Sequence, residues 1–184
     1  MKHDPGGKRK PRWPEDSVVT PHFSDCLRYR YGLAEIWDES LPQVMFLLMN
    51  PSVACVEHAD PTLIKTGKFA RRWGYGGQLV GNVHGYRVTN SKLLASVVDP
   101  VGPWNDAILL QMASNAEMLV LAYGLPPKAL RARASQIVEL LRGKVRLKYL
   151  RLTKDGTPEH PLYLPAEMIP LDFPVEATVK VGIA

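Results

Sequence analysis

The sequence predicts a single α/β domain: a three-layer α/β/α arrangement around a mainly parallel central sheet of about four strands. Three observations lead there. The chain has 184 residues, 46% apolar and 22% charged, which suffices for one well-buried core. Several short apolar runs are continuous rather than alternating, as in strands covered on both faces. Amphipathic helical stretches separate those runs, and a strand–helix alternation folds most directly into parallel strands flanked by helices.

The elements follow in chain order. Residues 1–22 carry Pro5, Pro11, Pro14 and Pro21, two glycines and five basic residues, which predicts a flexible basic arm ahead of a single domain over 23–184. Arg28–Trp37 is mixed in polarity and fits an exposed or edge strand. Gln43–Met49 is a continuous apolar run that must stop at Asn50-Pro51, because Pro51 has no N–H to give to a ladder. Asp60 as N-cap and Pro61 in the first helical position predict a helix with Thr62–Trp73 as its body and Gly74 as its stop. Leu79–Val83 is a second buried strand, Ser91–Val98 a short helix and Pro103–Glu117 a longer one, with Asn105-Asp106 as its cap. Met118–Gly124 is a third strand, Pro127–Arg142 an amphipathic helix stopped by Gly143, and Val145–Leu152 a fourth strand. Thr178–Val181 fits a short added strand.

Charge is unevenly placed. The net charge is +5, and the first twelve residues hold five basic residues against Asp4, leaving 18 basic and 17 acidic residues in the remainder. Within that remainder, Lys128–Lys154 holds nine basic residues against Glu139 alone. Such an excess points to an anionic partner, nucleic acid first and DNA before RNA, or a nucleotide. Lys65, Lys68 and Arg72 share the outward face of the first helix. Together with Lys128 and Arg131 they are candidate phosphate contacts, against the plainer reading of a solvated face. No apolar run approaches the roughly 20 residues of a membrane helix, and no apolar stretch follows the charged start as in a secretory signal. Cys26 and Cys55, the two cysteines, make neither a disulfide framework nor a four-cysteine metal site. A cytoplasmic protein without a membrane partner is expected.

Open α/β sheets bind ligands beyond the carboxyl ends of their strands. That rule selects the loops at Asn50-Pro51-Ser52, at Asn82–Arg87, at Tyr123-Gly124 and at Thr153–Tyr163. They are rich in amide, imidazole, phenol and guanidinium groups and poor in carboxylates, which suits bases and phosphates better than paired-acid chemistry. Ser52, Asn82, Tyr86, Arg87, Tyr123, Lys154 and Tyr163 are the candidate substrate-binding residues. No Walker loop, dinucleotide fingerprint or nucleophile elbow is present, and Gly74–Gly77 reads as a connector. Cys55, His58, Asp60, His84 and His160 match no zinc signature in their spacing, so no metal and no cofactor are expected.

These residues also carry a resemblance. Phe46–Ala54, Asp60-Pro61-Thr62, Phe69–Gly76, Asp99–Pro103, Asn105-Asp106, Thr153-Lys154 and His160–Tyr163 resemble, in order, a bacterial and phage domain of unknown function catalogued as 1643. The chain departs from that pattern at Tyr123, where Trp is expected, and at Glu159, where a basic residue is usual. More distantly, the series strand–Asn50-Pro51-Ser52, strand–Gly81-Asn82-Val83 and late His160-Pro161 resembles the uracil-DNA glycosylase superfamily, nearest its mismatch-specific branch. There the first motif reads Gly-Ile-Asn-Pro, and the equivalent here, Leu48-Met49-Asn50-Pro51, lacks the glycine. That resemblance implies a uracil-DNA-glycosylase-like fold and hydrolysis of the N-glycosidic bond of a modified or mismatched base. Asn50 would position a water under the sugar C1′, and His160 would stabilise the leaving base. Tyr86 or Tyr163 would stack on a flipped base, and Asn82 would bind a base edge. A non-catalytic nucleic-acid-binding or regulatory module on the same fold, and a small-molecule nucleotide enzyme, are the alternatives.

Overall fold

A computed structural model describes residues 10–174, so the stretch Thr178–Val181 lies outside the described residues. The chain is α/β. Strands β1 (Val18–Phe23), β2 (Arg30–Ile36), β3 (Gln43–Leu48), β4 (Gly77–Asn82), β5 (Met118–Leu121), β6 (Arg146–Tyr149) and β7 (Leu171–Asp172) form one seven-stranded sheet, ordered β1-β2-β4-β3-β5-β6-β7. Helices α1 (Pro61–Arg72), α2 (Asn105–Ser114) and α3 (Arg131–Leu141) join them, with short 3-10 turns at Ser91–Ser96, Lys128–Leu130 and Pro161–Tyr163.

The sheet is larger than expected and mixed. Strands β4, β3, β5 and β6 run parallel, whereas β1 and β2 are antiparallel additions at one side and β7 at the other. Two departures from the sequence reading produce this. Residues 18–22, expected in the arm, pair as the edge strand β1, whose side chains alternate between exposed and half-buried. With β1 in place, β2 is interior rather than exposed, and Arg30, Tyr31 and Leu33 are buried. Its one acid, Glu35, is held inside by the Ser17 hydroxyl and the Gln78 amide, while burial pushes its carboxyl up.

The central strand is covered on both faces, as its continuous apolar run requires. Val44, Phe46 and Leu48 pack with Leu63, Phe69 and Ala70 of α1. Met45 and Leu47 pack with Leu109 and Ala113 of α2 and with Ile137, Val138 and Leu141 of α3. Helix α1 starts as read. The Asp60 carboxylate accepts from Leu63 N at 2.9 Å, Pro61 opens the helix, and Gly74 follows it at φ +84°. Trp73 stacks on Phe69 at 5.4 Å and donates through Nε1 to Met168 O, so it closes the core. The Asn105-Asp106 pair does not cap α2 as expected. Asn105 is fully buried and donates from Nδ2 to Asn82 O at 3.0 Å, which ties α2 to the end of β4, and Asp106 pairs with Arg133.

Candidate functional site

The carboxyl ends of the parallel strands lie side by side and are stitched together. Beyond β3 and β4 the ladder continues, with Val83 N donating to Leu48 O at 2.8 Å, His84 N to Met49 O at 3.0 Å and Val88 N to Pro51 O at 3.0 Å. Asn50 belongs to this stitching, because its Nδ2 donates to Val88 O at 2.6 Å and to Pro51 O at 3.0 Å. On the other side of β3, Ala122 N donates to Leu47 O, and Gly124 N to Pro158 O at 3.0 Å. Gly124 adopts φ +69°, and a Cβ there would stand 3.2 Å from the His160 Cβ. The loops bearing Asn50, Asn82, Tyr123 and His160 therefore share one edge of the sheet, as the sequence placed them.

Several polar groups at this edge are buried without partners. Asn82 is fully buried, and neither its Oδ1 nor its Nδ2 has a hydrogen bond. The same holds for the hydroxyl of Tyr123, and neither ring nitrogen of His84 reaches good hydrogen-bond geometry, although the Met49 carbonyl acts on the ring. Asn82 stands in register with Leu48 on the α1 face, and Tyr123 packs with the core of the α2–α3 face, so they flank the end of β3. Burial pushes His84 down to about 4, leaving a neutral imidazole with one donor and one acceptor. Burial also lowers His160, with Asp60 acting in the opposite sense, and raises Tyr123, which stays protonated. Buried polar groups are almost always hydrogen-bonded, and a concentration of orphans at one strand end is the pattern of a binding site. An amide, neutral imidazoles and a phenol offer donors and acceptors without net charge, which suits a planar polar edge such as a nucleobase.

Arg30 went unnoticed in the sequence, and a β-bulge places it. Phe23 pairs with Arg30 and His22 with Gly32, so Tyr31 is the extra residue. Tyr31 and Gly32 both face α2: Tyr31 borders a cavity with Trp104 and Ile108, and Gly32 abuts Met112. Arg30 is thereby turned to the other side, where its Nη1 donates to Ala54 O at 2.9 Å. The sequence offers only an arginine beside two tyrosines in a run that fits an exposed or edge strand.

The remaining candidates are scattered. Tyr86 packs edge-on against Tyr29 at 5.5 Å, and Arg87 lies 4.7 Å over the Phe23 ring while its Nη1 donates to Leu27 O. Ser52 is half-buried, Lys154 is exposed, and Tyr163 is 87% exposed, an aromatic free to stack at this edge. Lys65 sits over the Phe69 ring at 5.1 Å. Lys68 and Arg72 are exposed, but α1 is about 18 Å long and carries them toward the opposite edge of the sheet. Lys128 and Arg131 begin α3 on the other face, so the five candidate phosphate contacts do not form one patch. Within the basic stretch, Arg133 pairs with Asp106, Arg142 with Glu139, Arg146 with Glu117, Lys148 with Asp172 and Arg151 with Glu159. Glu159, the departure from the family pattern, is thus a partner for Arg151. Among the described residues no group of three or more His, Cys, Asp or Glu side chains is placed to hold a metal ion.

A second feature, unseen in the sequence, is an open cavity of about 750 Å³ between the β1–β2 turn and the start of α2. Phe23, Tyr31, Trp104 and Ile108 give it apolar walls, and Cys26 and Arg28 stand at it. The Ser24 hydroxyl and then Arg28 bring the exposed Cys26 thiol down to about 7. Leu27 between them adopts φ +57°.

A family described as protein of unknown function (DUF1643) matches residues 30–162, from Arg30 through the 3-10 turn after His160. No curated protein and no solved structure matches the chain.

Proposed function

The chain belongs to the DUF1643 family, and from that premise we propose that it acts on a nucleic acid or nucleotide through a glycosylase-like pocket at the carboxyl ends of β3, β4 and β5. The observation that carries this reading is the set of buried Asn82, Tyr123 and His84 groups around the end of β3, the first two unpartnered. The uracil-DNA-glycosylase-like fold belongs to the same proposal. It is supported by the four parallel inner strands and by the placement of Asn50, Asn82 and His160 on adjoining loops.

The reaction is hydrolysis of an N-glycosidic bond. The C1′–N bond breaks with its electron pair leaving on the base, a water oxygen bonds to C1′, and the proton it loses passes to solvent. Asn50 has both donor contacts committed to backbone carbonyls, so its Oδ1 is the atom that orients the water. An amide is a weak base, which suffices where an oxocarbenium-like centre needs a positioned rather than a strongly activated nucleophile. His160 accepts from Leu162 N at its Nδ1, so the neutral ring carries its proton on Nε2 and donates to the departing base. Asn82 holds the base edge, and the exposed Tyr163 stacks on a flipped base. DNA is the first substrate class. The ion pairing of five basic residues between Lys128 and Lys154 favours a free nucleotide as the second reading.

The test is base release from oligonucleotides carrying modified or mismatched bases, with the matching nucleosides and nucleotides in parallel. Release by the wild type and a roughly 100-fold or greater loss in Asn50→Ala and His160→Ala are expected. No release by the wild type from any of these substrates overturns the hydrolase reading.

A further inference from the structure

We propose that Arg30 and Arg87 together form a receptor for a phosphate group, the one carried by the nucleotide or nucleic acid whose base lies at His160. The proposal rests on the reading above and adds where the negative charge of the substrate is held.

Arg30 is 1% exposed and uses one of its five N–H groups, to Ala54 O; its Nε is buried without a partner. Arg87 is half-buried, donates to Leu27 O, and likewise has a buried Nε without a partner. Backbone pairing brings the two together. Arg30 N donates to Gly85 O at 3.0 Å and Arg87 N to Arg28 O at 2.9 Å, around the Tyr29–Tyr86 bridge. In such an antiparallel ribbon Arg30 and Arg87 project to the same side as diagonal neighbours, within reach of two long side chains. Among the described residues, neither has a carboxylate within ion-pairing distance, whereas six other basic residues do. Burial lowers Arg30 to about 10, Asp60 acts against that shift, and Arg87 adds to it by repulsion.

A guanidinium serving only structure normally ends in a satisfied ion pair or a full set of carbonyl contacts, because a buried, unpaired charge is costly. Two neighbouring guanidiniums with orphaned donors instead define a place for an anion. The two guanidiniums come from different chain segments, and a tetrahedral phosphate, with its divergent oxygens, is an anion that two such groups can share. The location fits the proposed site at the strand ends. Asp60, whose carboxylate is held by Leu63 N at the start of α1, acts electrostatically on both Arg30 and His160. Asp60 thus links Arg30 and His160 to the start of α1.

The experiment is thermal melting of the full chain in a phosphate- and sulfate-free buffer, titrated with inorganic phosphate, a nucleoside monophosphate and a short oligonucleotide. The wild type, Arg30→Met, Arg87→Lys and the remote exposed Lys144→Met are compared. Inorganic phosphate at about tenfold excess over its Kd raises the wild-type Tm by roughly 3–6 °C, and Lys144→Met responds alike. Arg30→Met keeps or raises the ligand-free Tm and loses the phosphate response. Arg87→Lys responds about tenfold more weakly, and it carries the test should Arg30→Met fail to fold. No wild-type response, or an undiminished response in Arg87→Lys and Arg30→Met, overturns the receptor. Equal affinity for monophosphate and oligonucleotide identifies a nucleotide as the source of the phosphate, and affinity rising with length identifies a polymer. Phosphate binding without base release leaves the receptor standing and removes the hydrolase reading. Base release with no phosphate response does the reverse.

Discussion

His84 shows at the scale of one residue how the site is set. Its ring is buried and held neutral, because burial outweighs the opposing pull of the Met49 carbonyl, with the folded group down at about 4 against an ordinary value near 6.5. Because the folded value is depressed, the unfolded chain takes up the proton first as pH falls. His84 therefore favours the fold fully above pH 6.5, and that contribution is lost between pH 6.5 and 4, amounting to about 3 kcal/mol. Urea midpoints at pH 7 and pH 4.5 should differ less in His84→Gln than in the wild type; equal differences would show that another group governs the acid limb. Cys26 is also shifted down, but toward its charged form, with its thiolate favoured first by the Ser24 hydroxyl and then by Arg28. Its alkylation by iodoacetamide should rise with pH, reach half its maximum near pH 7 and level off above it, and that phase should vanish in Cys26→Ser. A half-maximum above pH 8 would contradict the contacts described.

At the scale of the elements, local chemistry was legible and tertiary cover was not. Asp60, Pro61 and Gly74 mark α1 because capping and backbone geometry are properties of neighbouring residues. The apolar run of β3 announces a strand covered twice. Strand β2 reads as exposed because its cover, β1, lies in a proline-containing segment that resembles an arm, and pairing between segments leaves no local trace. The bulge at Tyr31 that redirects Arg30 is hidden for the same reason. Gly124 is the element-scale test of the site. Its φ of +69° and its contact with His160 mean that Gly124→Ala should cost about 1–2 kcal/mol in denaturation and displace the His160 loop. A variant as stable as the wild type would show that the turn between β5 and its loop is not held as described.

For the whole molecule, the strand-end rule points to the candidate edge, whereas a linear charge count does not describe the folded surface. Nine basic residues against one acid in Lys128–Lys154 look like a surface for a polyanion. Five of them meet carboxylates, four of which come from outside that stretch: Asp106, Glu117, Glu159 and Asp172. Charge balance is a property of the folded surface, and linear windows do not show it. What the fold concentrates instead is polarity without partners at one strand end, and Asn82 is its plainest member. A buried amide without hydrogen bonds costs stability, and the proposed site gives that cost a role in binding. Asn82→Leu separates the two roles in a single variant, read by melting and by anisotropy of a labelled DNA oligonucleotide over a range of salt. A higher Tm, binding at least tenfold weaker and an unchanged salt slope are expected if, as proposed, Asn82 meets the base and not the phosphates. A lower Tm with binding equal to that of the wild type would contradict a ligand site at the end of β3.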